Sequence, residues 1–224
     1  DAVAECVLDG PIHDALRAET LSRGLGLRLM TIGNTGGWRD FATVSRPVTS
    51  PADLKGLKIR TTPAQLEQEM VRALGANPTP IAFSELYLAL ATGVVEGTKN
   101  SIQDIVGMRL EEHVNYVTLD NHAYMGAMWW HSDVRWRSLP DDLRPVVEEG
   151  FAELQRVTRT LPKERQSSAL ERFKAKGGAV HEPTAAERAA FRAASAPMRD
   201  WYVTKYGDRW LTRLDAAVAA CTSR

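Results

Sequence analysis

One arginine of this chain stands where it could do chemistry. In Leu57-Lys58-Ile59-Arg60-Thr61 the apolar Leu57 and Ile59 alternate with Lys58 and Arg60, the pattern of a half-buried strand. Ser50, Pro51 and Gly56 just before it read as the cap, the first residue and the stop of a short helical turn. An arginine at the end of such a strand offers a planar fork of N–H donors that meets a carboxylate through two parallel bonds, a geometry lysine cannot supply. A solvated arginine paired with nothing is the competing reading of the same spacing. Asn100 brings a second group, whose amide can donate to a ligand oxygen or cap the helix after it. Phe83, ahead of a helix with Ser84 as its cap, could lay its ring on a ligand's carbon skeleton or pack into the core.

Other chemistries find no pattern. The five histidines show no metal-ligand pairing at helical spacing, so no metal or cofactor is expected. There is no Gly-x-Ser-x-Gly elbow, no paired-cysteine motif and no acid–base dyad. Gly33-Asn34-Thr35-Gly36-Gly37 lacks both the three-glycine dinucleotide spacing and a lysine–hydroxyl ending, and reads instead as a hinge or turn. Formal net charge is zero, with 28 basic and 28 acidic residues, which argues against nucleic acid and anionic membranes as partners. No apolar run is long enough for direct membrane insertion. Residues 1–20 read as a mixed, charged helix rather than a signal peptide. Cys6 and Cys221 read as two small buried residues in preference to a disulfide tying the ends.

Strands alternating with helices define an α/β class with substantial parallel sheet. A helix over residues 2–23 leads through Gly24 and Gly26 to a strand over 27–32, and the glycine-rich stretch then breaks the chain. Val94 and Val95 begin a strand that stops at Gly97. Tyr124 to His131, apolar on both faces, belongs inside a sheet, with Trp129 and Trp130 both in the core. A long helix from Pro140 should kink at Pro162 before it reaches Phe173. Thr184 and Glu187 make a capping box for a further helix.

The wording of the middle of the chain adds more. Asp53-Leu-Lys-Gly-Leu-Lys-Ile-Arg60, Gly75-Ala-Asn-Pro-Thr-Pro80, Phe83-Ser-Glu-Leu-Tyr-Leu88 and Gly93-Val-Val-Glu-Gly97 up to Asn100, in that order, resemble the solute-binding subunits of TRAP transporters, the DctP family. The resemblance implies a two-lobed fold like that of periplasmic binding proteins (class II type), closing on a small organic acid and delivering it to membrane subunits. It implies a periplasmic location, no enzymatic activity and no cofactor. By that analogy 1–37 with 126–165 form the first lobe, and 38–125 with 166–224 the second. Family members carry a further region ahead of the point matched by Asp1, so the first lobe is expected to be incomplete. Arg60 becomes the anchor of the ligand carboxylate, with Asn100 beside it. Arg39 falls where the family often has a second arginine near the ligand, a surface role being the alternative. Lys99 and Ser101 depart from the family's pattern of an acid before the asparagine and a proline after it. The rival reading is an α/β enzyme on a carboxylate or phosphate ester, with Arg60 as substrate clamp.

Overall fold

The computed structural model describes residues 1–223. The chain opens with helices α1 (Ala2–Asp9) and α2 (Pro11–Ser22), strand β1 (Leu27–Thr43), the turn α3 (Pro51–Leu54) and strand β2 (Lys58–Thr61). Helix α4 (Gln65–Ala73), strand β3 (Asn77–Pro80), helix α5 (Leu86–Ala91), strand β4 (Gly97–Asn100) and helix α6 (Ile102–Gly107) follow. The second half holds β5 (Tyr116–Ser132), α7 (Asp133–Ser138), α8 (Leu143–Ala175), β6 (Ala179–His181), α9 (Ala185–Ser195), α10 (Pro197–Tyr206) and α11 (Arg209–Thr222). The strands are ordered β3-β2-β4-β1-β5-β6, with β2 parallel to β3 and β4, β5 parallel to β6, and β1 antiparallel to β4.

Two compact units divide this chain. The first gathers Asp1–Gly37, Tyr124–Glu164 and the segment from Asp208 onward; the second holds Trp38–Ala123 and Arg165–Gly207. The last helix thus lies with the first unit, where the sequence reading had put it in the second lobe. The covalent reason is a disulfide between Cys6 on α1 and Cys221 on α11, Cα atoms 5.9 Å apart. This corrects the reading of two unpaired thiols. Arg209 on α11 adds an ion pair to Glu19 on α2 at 2.7 Å.

Several local readings also change. Gly10 is extended and Pro11 opens a new helix, so residues 2–23 form two helices. The cause is the residue before proline, which the pyrrolidine ring pushes out of the helical region. The glycine-rich stretch does not break the chain, because β1 runs straight through it. Gly33 serves packing: a Cβ there would lie 2.6 Å from the Trp129 ring. Gly97 begins β4 instead of ending a strand. A Cβ on it would meet the Ala42 carbonyl at 2.7 Å and Ile59 Cδ1 at 2.9 Å, so only glycine lets these strands approach. Trp130 and Met128 are exposed, 38% and 41%, so the far half of β5 is not a two-sided interior strand. Pro162 lies inside helix α8.

In the second unit the sheet is buried on both faces. Phe41 lies opposite Lys99 and Ala42 opposite Thr98, and since neighbours in a strand point to opposite faces, Phe41 and Ala42 enter different cores. Phe41, Leu54, Ile59, Val71 and Phe191 pack on one side. Ala42, Leu86, Ile105, Leu110 and Phe173 pack on the other.

Candidate ligand-binding site

Arg60 sits third in β2, opposite Thr79 of β3, and is 3% exposed. Its Nε donates to the Ile81 carbonyl at 2.9 Å, and its guanidinium carbon lies 5.5 Å from the Phe83 ring centroid. Phe83 is itself partly exposed, so its ring backs the guanidinium rather than filling the core. The residues Phe83–Glu85 form a 3-10 turn, and Ser84 caps no helix. Burial pulls the Arg60 pKa below its ordinary value; Glu67 opposes this, Arg39 reinforces it and Asp104 opposes it. An arginine starts so far above neutrality that it keeps its charge.

Arg39 on β1 donates from Nη1 to the Lys99 carbonyl at 3.1 Å and lies 3.8 Å from Glu67 Oε1. It is therefore tied into the same unit and is not a surface arginine. Asn100 closes β4 opposite Asp40, 2% exposed. Its Oδ1 accepts from the Thr98 hydroxyl at 2.7 Å, and its Nδ2 donates to Asp104 Oδ2 at 3.2 Å. The helix after it is capped by Ser101, whose Oγ accepts from the Asp104 N–H at 3.2 Å. Asn100 is thus free of the capping role, and its amide joins the Asp104 carboxylate to the site.

Two further charged groups belong here. Lys99, 1% exposed, places Nζ 2.8 Å from Glu67 Oε2 on α4. Glu67 also accepts from the Thr62 N–H at 3.0 Å. Burial lowers the Lys99 pKa to about 8 in spite of Glu67, with Arg39 and Arg60 adding to the fall. Burial alone would raise Glu67, but Lys99, the Thr62 N–H and Arg39 outweigh it and bring Glu67 to about 2. Sequence reasoning named Lys99 only as a departure from the family's pattern and missed Glu67. The signal for Lys99 is strand alternation, which puts it on the same face as the buried Phe41 across the ladder. Nothing local marks Glu67, since an acid on an amphipathic helix is ordinarily solvated.

Close by, side chains replace backbone pairing. Asp120 Oδ1 accepts from the Phe41 N–H and Asp40 Oδ1 from the Asn121 N–H, both at 3.1 Å. Asn121 is left-handed at φ 53°. His122 Nδ1 lies 2.8 Å from Asp120 Oδ2, and Arg188 donates to the Asp120 carbonyl at 3.2 Å. Burial and the neighbouring Asp120 charge push Asp40 up to about 8, against the Asn121 N–H and Arg188. A cavity of about 600 Å³ in this unit is lined by Trp38, Glu67, Lys99, Asp120, His122, Arg188, Phe191 and Met198, among others. It reaches the lysine–glutamate pair; Arg60, Asn100, Arg39 and Phe83 are not on its wall.

Cations from three strands, Arg39, Arg60 and Lys99, thus gather in one part of the second unit, an arrangement able to pair with a small anion. The comparisons give the family. Residues 1–205 match the family described as Bacterial extracellular solute-binding protein, family 7 (DctP), and the chain belongs to it. It is 34% identical over 178 residues, 79% of its length, to the C4-dicarboxylate-binding periplasmic protein DctP of Rhodobacter capsulatus, covering 54% of that protein. It is 30% identical over 203 residues, 90% of its length, to the 2,3-diketo-L-gulonate-binding periplasmic protein YiaO of Escherichia coli, covering 60% of it. The chain thus spans between half and two thirds of these relatives. A TRAP periplasmic solute-binding protein from Desulfovibrio salexigens with bound orotic acid superposes with a TM-score of 0.89 at 27% identity, over 98% of this chain and 71% of that one. The fold is accordingly of the periplasmic-binding-protein kind. The family consists of solute-binding proteins, not enzymes, so the reading of Arg60 as a clamp for turnover is set aside.

Proposed function

We propose that this chain is the acid-gripping part of a periplasmic receptor of the two-lobed, class II type, which captures a small carboxylate and hands it unchanged to the membrane subunits of a TRAP transporter. Arg60 is the anchor, with Asn100, Arg39 and Phe83 around it. The observation that carries this reading is the state of the Arg60 guanidinium. It is buried, backed by an aromatic ring, and engaged with the protein through Nε, which leaves its terminal nitrogens for a ligand's two carboxylate oxygens. The relatives named above bind a C4-dicarboxylate, a diketo-gulonate and orotic acid, which share a carboxylate and little else. The backbone around Arg60 accounts for its precision: β2 is held on both edges, by β3 and by β4, so the fork is oriented before any ligand arrives.

The test is calorimetric titration of a panel of organic acids into the full-length protein and its Arg60→Met variant. Removing one partner of a buried, hydrogen-bonded charge pair costs about 2–5 kcal/mol, so the variant should bind its acid at least about 30-fold more weakly. Equal affinity in both proteins rejects the anchor.

A further inference from the structure

The Arg60 fork and the cavity of about 600 Å³ belong to opposite faces of the sheet. Phe41 and Ile59 share one core, and Lys99 stands opposite Phe41 across the ladder. Lys99 therefore points to that face, and Arg60, the neighbour of Ile59, points to the other. Leu74 and Phe191 in the cavity wall belong to the same core as Phe41, which puts the cavity on the Lys99 side. Its volume falls within the range of about 300–1,000 Å³ usual for small-ligand sites.

The titratable groups on its wall are Glu67, Lys99, Asp120, His122, Arg188 and Arg192, and they are unevenly engaged. Glu67 is met by Lys99 at 2.8 Å and by the Thr62 N–H at 3.0 Å. Asp120 accepts from the Phe41 N–H through one oxygen and meets His122 Nδ1 through the other. Both acids of the wall are thus answered. Arg188 uses Nη1 on the Asp120 carbonyl, and its Nε and Nη2 have no partner among the described residues. Arg192, one turn further along α9, has no partner for its guanidinium among them. Residues four apart on a helix are neighbours, so two open forks lie side by side. His122 adds a third open position: its side chain is 10% exposed, and Nε2 is buried without a hydrogen-bond partner. With Nδ1 donating to the Asp120 carboxylate, the neutral ring leaves Nε2 as an acceptor, and an unmet buried acceptor is costly.

We infer that this cavity is a second binding site, separate from the Arg60 anchor, for a 2-hydroxy acid with an apolar body. The carboxylate lies on the free donors of Arg188 and Arg192, in the geometry that guanidinium forks supply. The hydroxyl donates to His122 Nε2. Arg188 and His122 both bond to Asp120, so the two open positions are close, as the carboxylate and hydroxyl of a 2-hydroxy acid are. The remaining wall is apolar, with Trp38, Leu66, Met70, Phe191 and Met198 around the space. Two of these are methionines, which adapt to the shape of a ring or a branched chain. The site does not depend on the function proposed for Arg60.

The experiment is calorimetric titration of mandelate, phenylacetate and lactate into the full-length protein carrying Arg60→Met, so that the fork on the other face contributes nothing. Mandelate should bind. Phenylacetate, which lacks the hydroxyl, and lactate, which lacks the ring, should each bind at least about tenfold more weakly. Adding Arg192→Gln, a change at an exposed side chain bonded to nothing, should weaken mandelate at least about tenfold. Adding His122→Phe instead should bring mandelate and phenylacetate to within about twofold of each other, with circular dichroism confirming the fold. If the His122 variant does not fold, the Arg192 variant decides alone. No mandelate binding to the Arg60→Met protein, or binding that Arg192→Gln leaves unchanged, overturns the second site. Neither result touches the receptor reading, which stands or falls on the loss of its acid when Arg60 alone is replaced.

Discussion

The two units of this chain are stabilised by different means. The second buries apolar residues on both faces of its sheet, with Phe41, Leu86, Ile105, Leu110 and Phe173 at 1% exposure or less. The first has fewer: Val7, Ile12, Leu29, Met30, Ile32 and Trp136 are its buried apolar residues among those described. It relies instead on cross-links between distant segments. Cys6 is bonded to Cys221, Lys163 pairs with Glu5 at 2.8 Å, and Arg159 reaches both Asp9 at 2.6 Å and the Ile32 carbonyl at 2.8 Å. Exposed ion pairs each stabilise little, so the disulfide is the strong member of that set. The unit with the two-sided core is also the one that carries the cation cluster. A buried charge set needs a rigid, dry frame around it, and only the second unit supplies one.

This contrast can be broken from either side. The larger effect is expected in the second unit. Phe173 is fully buried, and its Cε1 lies 2.2 Å from where a Cβ on Gly178 would be, so the ring packs directly over that glycine. Phe173→Ala should cost about 3–5 kcal/mol in urea unfolding. Its hydrogen-exchange signature should be confined to the second unit, with amides of β2 and β4 losing protection. In the first unit, reducing the disulfide or making Cys6→Ser/Cys221→Ser should cost about 2–5 kcal/mol, because the bond spans 215 residues and restricts the unfolded chain. The loss should appear in the amides of α1, α2 and α11 while the second unit keeps its protection. A disulfide variant that loosens both units equally would show that they do not stand apart energetically.

How much of this could be read from the sequence follows the range of the forces involved. The Ser50–Pro51–Gly56 turn and the alternation around Arg60 were legible because they are written in adjacent residues. Ser50 does cap with Asp53 in a reciprocal box, and Arg60 does lie on a strand. The Thr184–Glu187 box was legible for the same reason. The Cys6–Cys221 bond was not, since composition says nothing about which distant segments meet. Glycines misled in one consistent way. Gly33 and Gly97 look like punctuation but sit inside strands, where their missing Cβ makes room for Trp129, Ile59 and the Ala42 carbonyl. Asn100 was read wrongly as a cap, because Ser101, one residue on, competes for that role and takes it. Glu67 and Asp40 stayed hidden, as their importance comes from partners on other elements.

Asp40 gives the sharpest view of what the second unit's frame does to a charge, at a smaller scale than the two core changes. Its carboxyl is buried beside Asp120 and accepts from the Asn121 N–H, with its pKa raised from 3.8 to about 8. A carboxyl whose folded pKa lies above its unfolded one binds its proton more tightly when folded. Its contribution to stability is complete below about pH 4 and is lost as pH rises through 8. Arg188 and the Asn121 N–H limit that loss, while His122 on the other side of Asp120 holds the second carboxylate in place. Asp40→Asn keeps an oxygen to accept from Asn121 and has no proton to lose. Measured by urea unfolding at pH 5 and pH 7, the wild-type protein should lose about 2–3 kcal/mol relative to the variant over that interval. Parallel curves for the two proteins would mean that Asp40 is ionised in the folded state, and that the second unit tolerates adjacent carboxylates better than its dry core implies.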